Sequence, residues 1–441
     1  MKRLLSLLLC AVLALFCATT AQAAGVSITL TASEYALHYA FDAGAQDPFV
    51  ILEYTTPAEK GWMMLYSEDG HFEGDVSLDY SGAGGKTSVA LTSARTTGSI
   101  GKTSTTLPKA ADYQKPTGKS NAKVTDFVLT ETPEGFHYAF NAAGTDYMLL
   151  YWRSKEQTVT QPVYPDENGH YEGDVISDLT FARTQFTVQV KSGSGSMKKE
   201  ATVRKGYQAP EAPQRQEGRL SGVTVCIDAG HQENGRFVNE PIGPGLTGST
   251  SGKGGMAQGT KTNRRESIVC LEIGMLLRDE LLRQGANVVM TREDQTTFHT
   301  NIERCEIAEA GGAQIMLRLH CNNSSNRSKR GIQVYGPLNS DYAKAVADAD
   351  TYREMGQKLL DAMKTRVGMT LANSTGMVRL NDNYVGNNWA KMMCFLVEMG
   401  YLSNPAEEYL LVTPVYQQWL AEGMADGVYE IAVARGWVQA Q

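Results

Sequence analysis

The chain has 441 residues, enough for two or three domains at about 150 residues each. It carries 41 Lys and Arg against 48 Asp and Glu, a formal charge of −7. That acidic balance argues against nucleic acid as a partner, because phosphate binding needs clustered basic groups.

Lys2 and Arg3, an apolar run from Leu4 to Cys17 and the small-residue site Ala21-Gln22-Ala23 read as a cleaved secretory signal over residues 1–23. The run is shorter than the ~20 apolar residues of a membrane span, and no later stretch qualifies. Bulky Phe16 ahead of Cys17 argues against a lipid anchor. The mature protein is expected outside the cytoplasm, secreted or in the cell envelope, with no stable membrane span. Its 39 basic and 48 acidic groups leave a charge of −9. The remaining cysteines, Cys226, Cys270, Cys305, Cys321 and Cys394, are odd in number and lie mostly in apolar runs. They read as small buried hydrophobes rather than a disulfide framework.

The front half is a tandem duplication. His38-Tyr-Ala-Phe41 recurs as His137-Tyr-Ala-Phe140, and Gly70-His-Phe-Glu-Gly-Asp-Val76 recurs as Gly169-His-Tyr-Glu-Gly-Asp-Val175, both at an offset of 99 residues. Each copy holds short alternating segments, such as Phe49–Tyr54 and Tyr147–Trp152, punctuated by turns such as Glu68-Asp-Gly70 and Glu167-Asn-Gly169. This pattern predicts two β-sandwich repeats of immunoglobulin-like type, over residues 24–106 and 123–203. His38, His71, His137 and His170 are expected in structural or turn positions. Aromatics such as Trp62 or Trp152, if exposed, would offer stacking faces to glycan, but aromatic residues in strands are usually core, so the repeats read as a spacer or as cell-wall contact without strong ligand specificity. Pro-, Lys- and Gln-rich stretches at 107–122 and 204–217 read as linkers.

From residue 218 to 441, apolar strand candidates alternate with helical patterns: a strand Val223–Ile227, a helix Asn263–Gln284, a strand Asn287–Met290 and a helix Ile302–Ala310. The strands Ile315–Leu319 and Ile332–Tyr335, a long helix Ala343–Val367, the strand Met393–Val397 and a terminal helix ending near Arg435 follow. Such alternation implies a mostly parallel central sheet with helices on both faces. The Gly-, Ser- and Thr-rich segment from Gln232 to Thr262 is long for an idle loop, and is expected to wall or cover a site.

Three of these strands end in chemistry-bearing residues: His231 after the first, His320 after the third and Glu398 after the last. Ligand sites of open α/β sheets form at the carboxyl edge of the strands, so these groups would converge. Two imidazoles and a carboxylate are a recurring zinc set, with a second carboxylate free to take a proton. Spacing alone does not divide the carboxylates between ligand and base. Local alternatives exist for each residue: Glu266 as the third residue of a capping box begun by Asn263, His231 as a loop residue, His320 as a core histidine, and Glu398 paired with Arg292 or Arg379. Asp228 and Asn322 are candidates to orient a ligand imidazole, Arg379 to meet a substrate carboxylate, Cys321 to pack away from the site, and His299 to lie on the surface. No H-E-x-x-H or G-x-S-x-G motif occurs.

Four blocks in order, Ile227-Asp-Ala-Gly-His231, Asn263-Arg-Arg-Glu266, Leu317-Arg-Leu-His-Cys-Asn322 and Leu396-Val-Glu-Met-Gly-Tyr-Leu-Ser-Asn404, resemble the zinc-dependent N-acetylmuramoyl-L-alanine amidases of bacterial cell walls, amidase type 3. The resemblance covers residues 220–435. It implies an α/β zinc amidase domain, zinc bound by His231, Glu266 and His320, Glu398 as the catalytic carboxylate, and peptidoglycan as the partner. The bond cut would join N-acetylmuramic acid to the L-alanine of the stem peptide. Other readings are a zinc peptidase cutting within that peptide, or a wall-binding protein with a regulated or inactive hydrolase domain.

Overall fold

The computed structural model describes residues 19–21, 26–33, 36–57, 60–77, 84–96, 98–109, 122–132, 135–145, 147–153, 158–176, 184–192, 197–205, 209–232, 238–250, 255–262, 264–368 and 378–440. Most of the expected signal, and Asn263, lie outside the described residues. Among the described residues no helix is long and apolar enough to cross a membrane. Two compact units divide the chain, Met1–Lys115 and Pro116–Gln441.

The first unit contains β1 (Thr19–Ala21), β2 (Ile28–Ala32), β3 (Ala36–Asp42), β4 (Phe49–Thr55), β5 (Lys60–Tyr66), β6 (His71–Ser77), β7 (Gly85–Ser93) and β8 (Ser99–Leu107). They form two antiparallel sheets, ordered β1-β2-β3-β6 and β5-β4-β7-β8. Period-2 burial supplies the core: Leu37, Tyr39 and Phe41 of β3 point inward and join Leu52 and Leu91 of the other sheet in one apolar cluster.

The second repeat contains β9 (Val124–Thr132), β10 (Gly135–Ala142), β11 (Met148–Arg153), β12 (Thr158–Val163), β13 (His170–Ile176), β14 (Thr184–Ser192) and β15 (Met197–Lys205), in sheets ordered β13-β10-β9 and β12-β11-β14-β15. The duplication extends to packing. Phe41 stacks on Phe72 at 4.9 Å, and their counterparts Phe140 and Tyr171 stack at 4.5 Å. Trp152 is a core residue, the commoner of its two readings, and offers no stacking face. It is 2% exposed and packs edge-on against Phe136 at 6.0 Å, whereas Trp62 is 39% exposed.

The back domain contains β16 (Thr224–Ala229), α1 (Glu266–Arg283), β17 (Asn287–Met290), α2 (Asn301–Ala310), β18 (Ile315–Asn322), β19 (Gln333–Gly336), α3 (Asp341–Val346), α4 (Ala349–Val367), β20 (Val378–Leu380), α5 (Val385–Trp389), β21 (Met393–Tyr401), α6 (Glu407–Leu410) and α7 (Pro414–Ala434). Its sheet is ordered β17-β16-β18-β21-β19-β20, and every neighbouring pair is parallel except β19 with β21. Alternate strand residues serve opposite faces. Cys226, Met316 and Cys394 cluster with Cys305 and Ala308 of α2, while Ile227, Ala229 and Leu319 line up beneath Gly274 of α1. All five cysteines of this domain are free and buried.

Two helix boundaries differ from the sequence pattern. The predicted single helix over 343–367 is two, because Ala347 adopts extended geometry and Asp348 starts a new helix by accepting from the Thr351 N–H at 2.8 Å. At the start of α1 the N-cap is Arg265, without a side-chain cap bond. Glu266 is therefore the first helical residue and not the third member of a capping box.

Candidate active site

β16, β18 and β21 are adjacent and parallel, so their carboxyl ends share one edge of the sheet. The chain leaves β16 through a tight turn. The Gly230 N–H donates to Leu319 O at 2.9 Å, and a Cβ on Gly230 would lie 2.4 Å from that oxygen and 2.6 Å from His320 Cε1. Only glycine permits this approach. The next residue, His231, has φ of +56°, an uncommon conformation for a side chain of its size. Three backbone carbonyls of the turn are held by buried arginines: Arg292 donates to Ala229 O at 2.8 Å and Gly230 O at 2.9 Å, and Arg304 donates to His231 O at 3.2 Å.

Glu266 is 3% exposed and joins these segments. Its Oε1 lies 3.2 Å from His231 Nε2 and 3.0 Å from His320 Nδ1, and it accepts from the Cys321 N–H at 3.0 Å. Its Oε2 accepts from the Ala257 N–H at 2.8 Å. Burial alone would raise its carboxyl pKa, but the two histidines outweigh burial and hold it far below the usual range. The His231 and His320 rings meet edge to face at 4.9 Å. One ligand-type atom from each of His231, Glu266 and His320 lies within 4.8 Å of the others.

Two unpartnered atoms belong to the same site. His320 Nε2 and Glu398 Oε2 are buried without a hydrogen-bond partner. His320 and Glu398 are opposite one another in the β18–β21 register. Burial lowers the pKa of His320, and burial together with the Glu266 charge raises that of Glu398 well above the ordinary carboxylate value. Arg292, one suggested partner for Glu398, is committed to backbone carbonyls.

Other expected positions are corrected. Asp228 touches no imidazole. It is fully buried, receives Arg318 Nε at 2.9 Å and Thr291 Oγ1 at 2.8 Å, and pairs with Arg304. Burial would raise its pKa, but the two guanidinium groups hold it far below the usual range. Asn322 lines the cleft, yet its side-chain amide donates to Gln333 Oε1 at 3.2 Å rather than to a histidine. Arg379 sits exposed on β20 and is not part of the cleft wall. As expected, Cys321 packs away from the site, buried against Cys270 and outside the two-histidine, one-carboxylate group. His299, expected on the surface, is partly buried and lines the cleft.

Arg304 and Arg318 complete the site without being sequence candidates, and both are 4% exposed. For Arg318 a signal exists, an arginine inside the apolar strand Ile315-Met-Leu-Arg-Leu319, where a charge needs a partner; Arg304 lies on α2 and has no such mark. The cleft has a volume of about 680 Å³ and includes His231, His320 and Glu398, with Glu240, Thr250 and Met256 contributed by the long loop. Glu240 fastens that loop to α2 by accepting from Asn301 Nδ2 at 2.7 Å and from the Ile302 N–H at 2.8 Å.

Residues 225–430 match the family model described as N-acetylmuramoyl-L-alanine amidase. A germination-specific N-acetylmuramoyl-L-alanine amidase of Bacillus subtilis is 26% identical over 231 residues, which are 49% of this chain and 83% of that protein. LytH of Staphylococcus aureus, described as a probable cell wall amidase, is 27% identical over 218 residues, 48% of this chain and 60% of its own length. An N-acetylmuramoyl-L-alanine amidase structure from Clostridium difficile 630 aligns at 25% identity with a TM-score of 0.38, over 48% of this chain and 96% of that one. The family match falls on the segment that carries the two histidines, Glu266 and Glu398, and residues 225–430 form a domain of the N-acetylmuramoyl-L-alanine amidase family.

Proposed function

We propose that this protein is a secreted peptidoglycan hydrolase whose back domain, residues 218–441, cleaves the amide between N-acetylmuramic acid and L-alanine with zinc as cofactor. The observation that carries this reading is the convergence of His231, Glu266 and His320 within 4.8 Å, with the buried His320 Nε2 left unpartnered. Two imidazoles and one carboxylate fit a hydrolytic zinc site. Bound there, zinc would supply a Lewis acid and lower the pKa of its water.

Glu398 is the catalytic carboxylate of this proposal. Burial raises its pKa and so makes its carboxylate a stronger base than an ordinary glutamate; in the ionised form it would take a proton from water as the amide carbonyl is attacked, and in the protonated form return that proton to the leaving nitrogen. His231, Glu266 and His320 hold the ion. Asp228, through Arg304, fixes the His231 turn. Upstream, residues 1–23 are the signal, and 24–106 and 123–203 are sandwich repeats between linkers 107–122 and 204–217, in contact with the wall. An extracellular or envelope location is in keeping with the description of LytH as a cell wall amidase.

The test is digestion of purified peptidoglycan by the full chain, with added zinc and with chelator, followed by mass spectrometry of the new ends. Zinc-dependent release of intact stem peptides beginning with L-alanine is expected. Cuts inside the stem peptide would replace the reading with a peptidase, and a zinc-loaded protein without cleavage would replace it with a wall-binding role.

A further inference from the structure

We propose that Arg318 determines substrate specificity in the cleft, by binding a free carboxylate of the stem peptide one residue beyond the amide that is cut. This deepens the amidase reading and rests on it for the identity of the ligand.

Arg318 and His320 stand two residues apart on β18. They therefore share a face of the sheet, about 7 Å apart along the strand. An arginine that is 4% exposed needs partners for its charge and its donors. The surrounding residues meet only part of that need. Nε donates to Asp228 Oδ2 at 2.9 Å, and Nη2 donates to Asn301 Oδ1 at 2.6 Å. Among the described residues, Nη1 has no hydrogen-bond partner.

Countercharge for Asp228 gives little reason for this arginine, because Arg304 is already paired with that carboxylate. Asn301 links the second guanidinium to Glu240, whose Oε2 accepts from Asn301 Nδ2 at 2.7 Å. Room for the guanidinium is left by α5. A Cβ on Gly386 would lie 2.3 Å from Arg318 Cζ and 2.4 Å from Nη1, so a larger residue there would push the group out of place. Arg318 lines the cleft together with Leu396, its register partner on β21, and with Asn301 and Tyr384. The same cleft holds His231, His320 and Glu398. Arg379 lies outside the cleft wall, and the carboxylate-binding role expected of it falls to Arg318.

A guanidinium with an uncommitted edge suits a planar carboxylate, and the charge-assisted bond it makes is stronger than one to a neutral amide. In peptidoglycan the residue after L-alanine is a D-glutamate joined onward through its side chain, which leaves its α-carboxylate free. At ~3.5 Å per residue, a stem peptide held by its first amide beside His320 brings that group about two residue lengths away. That reach matches the spacing of Arg318 from His320. Where this carboxylate is amidated the charge is gone, so Arg318 discriminates between the two forms of the stem.

The test is isothermal titration of the full chain with N-acetylmuramoyl-L-alanyl-D-glutamate and with its D-isoglutamine counterpart, which differ in that one carboxylate. Chelator is present throughout, so that no ion captures the carboxylate and neither ligand is cut. The acid is expected to bind about 10- to 100-fold more tightly than the amide. Arg318→Lys keeps a cation for Asp228 but has no second edge to offer, and should lose the preference. Gly386→Ala displaces the guanidinium without removing it, and should narrow the preference even if the lysine variant melts early. Equal affinities in wild type, no binding of either ligand, or a full preference in variants that melt like wild type would overturn the proposal. Absent cleavage in the digestion test would sink the amidase reading and leave this comparison standing.

Discussion

His320 and Glu398 are register partners on β18 and β21, and each ends in a buried atom without a hydrogen-bond partner. Neighbours in a parallel ladder share a face, so their side chains are aimed by the sheet itself rather than by loops. Their separation is therefore insensitive to movement of the long loop that walls the cleft.

The isosteric change Glu398→Gln separates proton transfer from ion binding. Activity on peptidoglycan should fall by about 10²- to 10⁴-fold while zinc content stays at the wild-type value. Turnover and metal analysis on the same preparation check this. A variant of near-normal activity would remove Glu398 from the chemistry.

His320→Ala removes one imidazole and should lower zinc affinity sharply together with activity. Isothermal titration with zinc reads the change. Wild-type affinity in this variant would take His320 out of the ion-binding set.

Asp228→Asn leaves Arg304 and Arg318 buried with much of their countercharge gone. Breaking a buried ion pair from one side costs about 3–5 kcal/mol, so the urea midpoint should drop substantially. Arg304 also holds the His231 carbonyl, so zinc affinity should weaken as well. A stable variant with intact zinc binding would contradict both expectations.

Glu407 gives the fold a pH dependence of known sign. It is 2% exposed, and burial raises its pKa from 4.5 to about 7, although the Tyr401 and Gly331 N–H groups donate to it. The folded state thus retains a proton that the unfolded chain releases near pH 4.5. The resulting stabilisation is fully present below that pH and is lost as pH rises through 7, a change of about 3 kcal/mol. Glu407→Gln should remove this component from the stability profile, measured by denaturant unfolding between pH 5 and 8. An identical slope in the variant would assign the dependence to other groups.

The strand ends that carry His231, His320 and Glu398 were legible because apolar runs mark buried strands and a polar residue at their carboxyl end stands out. Repeated words at a fixed offset point to a duplication, and residues at that offset, Phe41 with Phe72 and Phe140 with Tyr171, stack alike. The two arginine partners of Asp228 were not legible, because they come from α2 and β18, 76 and 90 residues away in sequence. The break between α3 and α4 also escaped. No glycine or proline marks it, and it depends on Asp348 capping a new helix. Trp152 shows that packing, and not strand periodicity, settles which way an aromatic faces. A large aromatic on an alternating strand fits either face until the opposite sheet is known, and here Phe136 completes its burial.

The single carboxylate of Glu266 contacts both histidines, the Cys321 amide and the Ala257 amide. Strand, turn, loop and helix are thereby tied together by protein–protein bonds alone. For the proposed zinc centre, this bracing means that chelation empties a cavity of nearly fixed shape. Loading is then governed by the supply of metal, and a stripped enzyme recovers on resupply without having to refold.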